Sequence, residues 1–276
     1  MKNIIMLIAL LLVASPILAA YDVDLPVVTH VQGATTTFYT ALDITNHSAA
    51  STGVSFEYIS SDLSVDARGA LQPLGPHGNF HTDDILTYLA SQGYITAAQG
   101  ASGFGTMLIT FTNPTFTTGT EASASARIYN YLNNGQRPSV GLAYRALPVT
   151  TNGSHTVSTV IQDTSAAGGG APSITTNLGL EDVGINDAGQ VDLTPVTIQM
   201  TFYDGTTGAQ IGPQPTVALQ SGQVTQINNV WAAYGLPAST TNVVVVAAEI
   251  SGTAQIRGYV SLKDTTTNDG SFFFMQ

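Results

Sequence analysis

The chain of 276 residues contains no cysteine. Disulfides, thiol nucleophiles and cysteine metal ligands are therefore all excluded. Basic residues are nearly as scarce: seven Lys and Arg stand against 18 Asp and Glu, giving a net charge of −11 and a pI near 4.4. Nucleic acid and anionic lipid are held by Lys and Arg that displace counterions, so this balance excludes both as partners. Charge of either sign is thin, 9% of residues where about a quarter is usual, and Thr, Ser and Asn supply the polar surface instead. Past residue 20 no apolar run approaches the roughly 20 residues of a membrane-spanning helix. Val243–Ala248 is stopped by Glu249 and fits one buried strand. The membrane span and the basic surface are both missing, and the remaining composition suits an exported β protein.

The chain opens with an address. Lys2 precedes an apolar stretch, Ile4–Val13, then a break at Pro16 and the small residues Ala19 and Ala20. A positive start, an apolar core and a small-residue cleavage site predict a secretory signal peptide over residues 1–20. No cysteine follows it, so a lipoprotein anchor is excluded. The expected destination is extracellular, periplasmic or at the cell surface. Removing Lys2 leaves six basic residues against 18 acidic ones, a net charge of −12. A domain without disulfides must be held by its own core, and about 120 residues suffice for one.

Residues 38–46, FYTALDITN, return in altered form as ITTNLGLED at 174–182. Downstream, GNFHTDDIL from Gly78 is matched by GQVTQINNVW from Gly222, and ASARIYN around Ala126 by YVSLKDT around Ser261. Three ordered matches at offsets between 135 and 144 residues predict two copies of one domain rather than a short solenoid period. The domains are expected at 21–150 and 151–276, with the boundary at Thr150-Thr151-Asn152-Gly153. The run Gly168-Gly169-Gly170 reads as a loop within the second domain.

Alternation with period two runs through both copies. Phe38, Thr40, Leu42 and Ile44 share one face while Tyr39, Ala41 and Asp43 share the other, and Val54–Tyr58 and Val196–Phe202 repeat the pattern. Short segments bounded by Gly, Pro, Asn and Asp predict antiparallel sandwich strands. They are expected near 25–31, 37–46, 53–60, 69–74, 78–82, 105–112, 122–131 and 139–147, and again near 156–162, 173–182, 194–204, 215–220, 222–227, 242–250, 254–263 and 271–275. One helix interrupts each set. Thr82 is expected to cap Asp83–Ala90, with both carboxylates at the positive end of the helix dipole. Asn228–Tyr234 is the second helix, stopped by Gly235 and Pro237. The fold class is therefore all-β: two tandem antiparallel Ig-like β-sandwich domains, each with one short helix. Leu42, Ile44, Phe56, Tyr58, Leu178, Leu180, Met200 and Phe202 are expected in the cores.

These motifs carry a resemblance. F-x-T-x-L-x-I-x-N at 38–46, a Gly ahead of D-D-I-L at 83–86 or N-N-V-W at 228–231, a Val/Ile-rich strand, and R-I-Y-N at 127–130 or S-L-K-D at 261–264 follow in fixed order. That order resembles bacterial exported proteins built from tandem Ig-like β-sandwich repeats, and it covers nearly all of the chain after residue 20. The resemblance implies a surface or extracellular module and brings no catalytic residues with it. The Thr-rich, charge-poor strands depart from the usual pattern of that group.

Candidate chemistry is sparse. The densest acidic stretch runs from Glu181 to Asp192, where Asp182, Asn186, Asp187 and Asp192 offer oxygen ligands for calcium. The register of an EF-hand is missing, and Asn and Asp equally favour plain turns. His77 and His81, at i and i+4, would share a strand face toward zinc or copper, although no third ligand is evident. The alternative puts His77 in a turn and His81 toward solvent. A nucleophile needs a base within reach, and no G-x-S-x-G, S-x-x-K or phosphate-binding G-x-x-x-x-G-K-[ST] occurs. Glu57, Glu121 and Glu249 show no pairing for glycoside cleavage. Trp231 reads as a core anchor rather than a sugar platform, and Arg127 and Arg257 as paired or snorkelling side chains.

The sequence thus points to a non-catalytic exported or cell-surface module, not an enzyme, that acts by binding, adhesion or self-association. Its expected partner is an unknown protein or glycan at the cell surface, and calcium is the one cofactor the residues suggest. The alternative is a carbohydrate-active accessory or hydrolytic protein with a glycan site at a loop end. Tyr88, Tyr94 and Phe104 are the nearest aromatic cluster for it.

Overall fold

The computed structural model describes residues 21–32, 36–116, 118–132, 141–149, 154–164, 173–264 and 270–276. The expected signal peptide, the boundary at 150–153 and the run at 168–170 lie outside the described residues. The first half contains β1 (Tyr21–Gln32), β2 (Thr36–Asn46), β3 (Val54–Ser60), β4 (Asp66–Ala70), β5 (Asn79–Thr82), α1 (Ile85–Ser91), α2 (Ala97–Gly100), β6 (Gly103–Phe111), β7 (Ala122–Leu132), β8 (Gly141–Arg145) and β9 (Leu147–Pro148). The second contains β10 (Thr156–Gln162), β11 (Ile174–Asp182), β12 (Val196–Asp204), β13 (Gln210–Ile211), β14 (Thr216–Leu219), β15 (Val224–Ile227), α3 (Val230–Tyr234), β16 (Asn242–Ser251), β17 (Ile256–Asp264) and β18 (Gly270–Phe274).

The chain is all-β, with three antiparallel sheets and three short helices among the described residues. In the first half the strands run β4-β3-β6-β1 and β5-β2-β7-β8; in the second they run β14-β12-β16-β10 and β15-β11-β17-β18. Strand for strand, the two orders correspond, apart from the two-residue strands β9, which pairs with β1, and β13, which pairs with β12. The main difference in sheet pairing lies at one corner. There β1 runs on to pair with β2, from His30↔Tyr39 to Gln32↔Thr37, which joins the two layers into a single nine-stranded sheet. At the same corner of both halves a buried threonine ties the layers. Thr40 Oγ1 accepts from the Thr29 amide at 2.7 Å and donates to its carbonyl at 3.1 Å. Thr176 does the same with Gln162, accepting from its amide at 3.3 Å and donating to its carbonyl. A hydroxyl with no solvent exposure needs both partners, which explains why Thr stands at an inward position of an otherwise apolar strand face.

Alternation places the cores. Leu42, Ile44, Leu178, Leu180, Met200 and Phe202 are fully buried, with Phe56 and Tyr58 nearly so. Trp231 is 7% exposed and its indole N–H donates to the Thr240 carbonyl at 3.0 Å, the arrangement of a core anchor.

Three local expectations are corrected. Helix α1 is capped by Asp84, not Thr82: Asp84 is extended at φ −148°, its carboxylate accepts from the Thr87 amide at 3.4 Å, and Thr82 Oγ1 accepts from the Asp84 amide instead. The first half has two short helices rather than one. Thr96 and Gln99 form a reciprocal capping box that starts α2. Finally, β4 lies at Asp66–Ala70 rather than 69–74, because the turn at Ser60–Val65 closes early around the Asp62 carboxylate, which accepts from Ser60, Ser64 and the Ser64 amide.

The halves share a seam. Val224 and Tyr259 of the second half pack into the core of the first. Phe272 stacks between Tyr144, at 4.5 Å, and Tyr259, at 5.0 Å. Thr106 Oγ1 donates to the Gly222 carbonyl at 2.9 Å, and Gln223 Nε2 to the Ser61 carbonyl at 2.7 Å.

Candidate functional site

Two clusters of polar side chains stand apart from ordinary surface. The first lies in the seam. Glu181 on β11 and Arg257 on β17 are cross-strand partners, and both point away from the second half's core because Leu180 and Ile256 point into it. Arg257 Nη1 bonds Asp24 on β1 and lies 3.6 Å from Glu181 Oε2. Arg257 is 1% exposed, Glu181 2% and Asp24 4%. One cation thus serves two carboxyls in a dry site. Burial pushes both carboxyls up. For Glu181 the charge of Asp24 adds to burial in disfavouring the ionised form, and Arg257 opposes both. The Tyr144 hydroxyl, bonded to the Val27 carbonyl, is held well above its ordinary range by the same burial. Side chains buried to this degree act cohesively, holding the two halves together.

The second cluster is the acidic loop and the residues around it. Each of the four expected calcium ligands has contacts of its own within the loop and its surroundings. Asn186 Oδ1 accepts from the amides of Ala188 and Gln190 at 3.0 and 3.1 Å, closing its own turn. Asp187 reaches His155 Nε2 at 3.1 Å and accepts from Gln255 Nε2 at 3.2 Å. Asp192 accepts from the Thr194 amide at 2.9 Å and the Thr253 hydroxyl at 2.6 Å. Asp182 is fully buried, with Oδ1 on the Gly184 amide at 2.8 Å and Oδ2 without a hydrogen bond. Among the described residues no group of three or more His, Asp or Glu side chains is placed to hold a metal ion. His77 and His81 also go separate ways. His77 takes a left-handed turn at φ 54°, and His81 bridges Asp43 at 2.7 Å and Asp83 at 3.2 Å.

What the sequence reasoning missed is that histidine and carboxylate meet repeatedly. His30 bonds Asp84 at 2.7 Å; His155, just ahead of β10, bonds both Glu249 and Asp187. No local motif signals these pairs, since the partners are 54, 94 and 32 residues apart. The hydrogen bond to Glu249 raises His155, and the one to Asp43 raises His81. Of the aromatic cluster proposed for a glycan, Tyr94 stays 36% exposed while Tyr88 and Phe104 are partly buried. Tyr94 stands edge-on to Phe56 at 5.0 Å with its hydroxyl on the Ala70 carbonyl, and Tyr88 edge-on to Phe80 at 5.1 Å.

These shifts set a pH dependence. Burial raises Asp182 to about 7, with the charges of Asp192 and Glu249 adding to it and the Gly184 amide opposing. A carboxyl raised in the folded state contributes stability that is full below its unfolded value, near 3.9, and is lost as pH climbs to about 7. His81 and His155, also raised, contribute fully below about 6.5 and lose that contribution as pH passes their folded values. Both act in one direction, so thermal stability should be greater at pH 5 than at pH 8, by about 5 °C or more. Asp182→Asn should flatten the part of that slope between pH 4 and 7. A melting temperature that rises from pH 5 to pH 8 would refute the assignment.

No family model matches this chain, and no curated protein matches it. One solved structure, described as a "putative secreted protein from Parabacteroides distasonis", covers 86% of this chain and 86% of its own at 10% identity, with a TM-score of 0.19. A likeness that slight carries no argument about fold or function.

Proposed function

We propose that this protein is an exported, non-catalytic module made of two copies of one β-sandwich domain, 21–150 and 151–276, that acts by binding at or beyond the cell surface. The observation that carries this reading is the seam. Two halves of corresponding strand order are locked by a buried ion pair, an aromatic stack and a shared core, which makes a rigid two-part platform of sheet faces and loop ends. Rigid scaffolds with exposed sheet faces suit binding and display. Most of the polar side chains of both clusters have partners within the fold: Asn186, Asp187 and Asp192 take turn amides, His155, Gln255 or Thr253, and the buried Arg257 takes Asp24. Of the two sequence-based readings, the glycan site at a loop end draws less support, since Tyr88 and Tyr94 rest edge-on against Phe80 and Phe56. None of the described helices is long and apolar enough to cross a membrane, in keeping with release or surface attachment through a partner.

Export is tested by expressing the full chain in a host with a general secretion pathway and weighing the product. The mature protein should begin at Ala20 or Tyr21 and be recovered outside the cytoplasm. A cytoplasmic product that retains residues 1–20 would contradict the reading.

A further inference from the structure

The outer face of β10-β16-β12-β14 differs from every other sheet face of the molecule. Its cross-strand rows run Val160–Val244–Tyr203 and Ser158–Val246–Thr201, and the next row is again Thr, Ala and Gln. Those rows carry no carboxylate and no cation, on a chain whose net charge is −11. The corresponding face of the first half carries Asp24, the Glu57–Arg68 ion pair and Asp66. That first-half face is also the one onto which the second half docks, through Asp24–Arg257 and Thr106–Gly222. Packing one outer sheet face onto another is therefore already how this chain joins its halves. In the second half the counterpart face is left open, with Val160 at its edge strand 51% exposed and Ile250 at the end of β16 55% exposed.

We infer that this face is where a second copy of the chain docks, sheet on sheet across a twofold axis, which rests on the binding-module reading above and names its partner. The charge pattern selects that occupant. Two acidic copies repel wherever their carboxylates meet, and this face is where they approach without bringing like charges together. A cationic partner would find no carboxylate here to pair with. The isologous arrangement is the common one for identical chains and needs only a self-complementary patch. Aligned sheets pack in this way at a small angle with side chains interdigitating. The size sets the strength. Four strands about 4.8 Å apart and about seven residues long offer roughly 450 Å² per copy, hence about 900 Å² in total. That is below the standard interface and typical of a weak, reversible contact. A dissociation constant of tens to hundreds of micromolar is the expected scale.

Sedimentation equilibrium of the mature chain at up to about 0.5 mM tests the inference. A reversible monomer–dimer equilibrium is expected, equal in calcium and in EDTA, and held or tightened by added salt, because screening reduces the net repulsion while the contact itself is uncharged. Val246→Lys and Val160→Lys, each checked for an unchanged far-UV spectrum, should abolish the dimer, while Ser125→Lys on the exposed face of the first half should leave it intact. A chain that stays monomeric at the highest concentration overturns the inference, as does a dimer that survives both lysine variants. A dimer that needs calcium also overturns it and moves the contact to the acidic loop. None of these outcomes bears on export, which the mass of the secreted product decides separately.

Discussion

Replacing Arg257 with Ala should destabilise the protein by about 3–5 kcal/mol, because it strands the Asp24 carboxylate in a dry site with no counter-charge. For a chain of this size that corresponds to a drop in melting temperature of roughly 10 °C. The loss arises from what is left behind more than from what is removed. Burying two charges is expensive, and the attraction within Asp24–Arg257 offsets that cost without greatly exceeding it. Two further variants separate these effects. Glu181→Gln should cost less than Arg257→Ala, since burial and the charge of Asp24 already disfavour the ionised form of Glu181. Replacing Asp24, Glu181 and Arg257 together with Leu, Leu and Met should restore stability to wild type or above it. Urea unfolding of the three proteins is the check. A cost below about 1 kcal/mol for Arg257→Ala would mean that water reaches the cluster and that the seam is looser than its burial indicates.

Truncating Leu42 or Leu178 to Ala should cost about 2–5 kcal/mol each, the usual penalty of lost transfer energy plus a cavity that cannot fully collapse. The pair is informative because the two leucines hold the same place in their halves. Leu42 is fully buried on β2 opposite Ala126 of β7, and Leu178 is fully buried on β11 opposite Val260 of β17. The costs should therefore be similar, with Leu178 the larger if the bulkier Val260 holds its cavity open. An unchanged melting temperature for either variant would mean that the inward and outward faces of that strand are exchanged.

Period-two alternation was enough to place β2, β3, β11 and β12 within two residues, because one face of each is buried and a one-residue slip would expose every apolar side chain on it. Short elements were harder to read. β13 has only Gln210 and Ile211, too few for a pattern, and α2 rests on one capping box with no apolar stripe behind it. At α1 the sequence points to Thr82 as the cap, whereas the cap is Asp84, set by backbone geometry that alternation does not encode. The seam was hidden for a different reason. Asp24 stands in YDVDLPVV, where alternation turns Asp22 and Asp24 outward together, and only the docking of residues 233 positions away makes one of them buried. The acidic loop shows the converse. Its composition was visible, but whether four oxygens converge depends on turns, and Asn186 uses its carbonyl on its own loop.

The central claim is that two corresponding halves fold as one locked unit, and equilibrium unfolding in urea with two probes tests it most directly. Trp231, the only tryptophan, reports on the second half alone, while far-UV circular dichroism reports on the sheets of both. With Val224 and Tyr259 in the first half's core and Arg257 paired to Asp24, neither half can unfold without stranding groups of the other. The two probes should therefore trace one coincident transition with a single midpoint. Separate midpoints, with Trp231 fluorescence changing while half of the circular dichroism signal persists, would contradict the locked platform and leave two independent domains on a string.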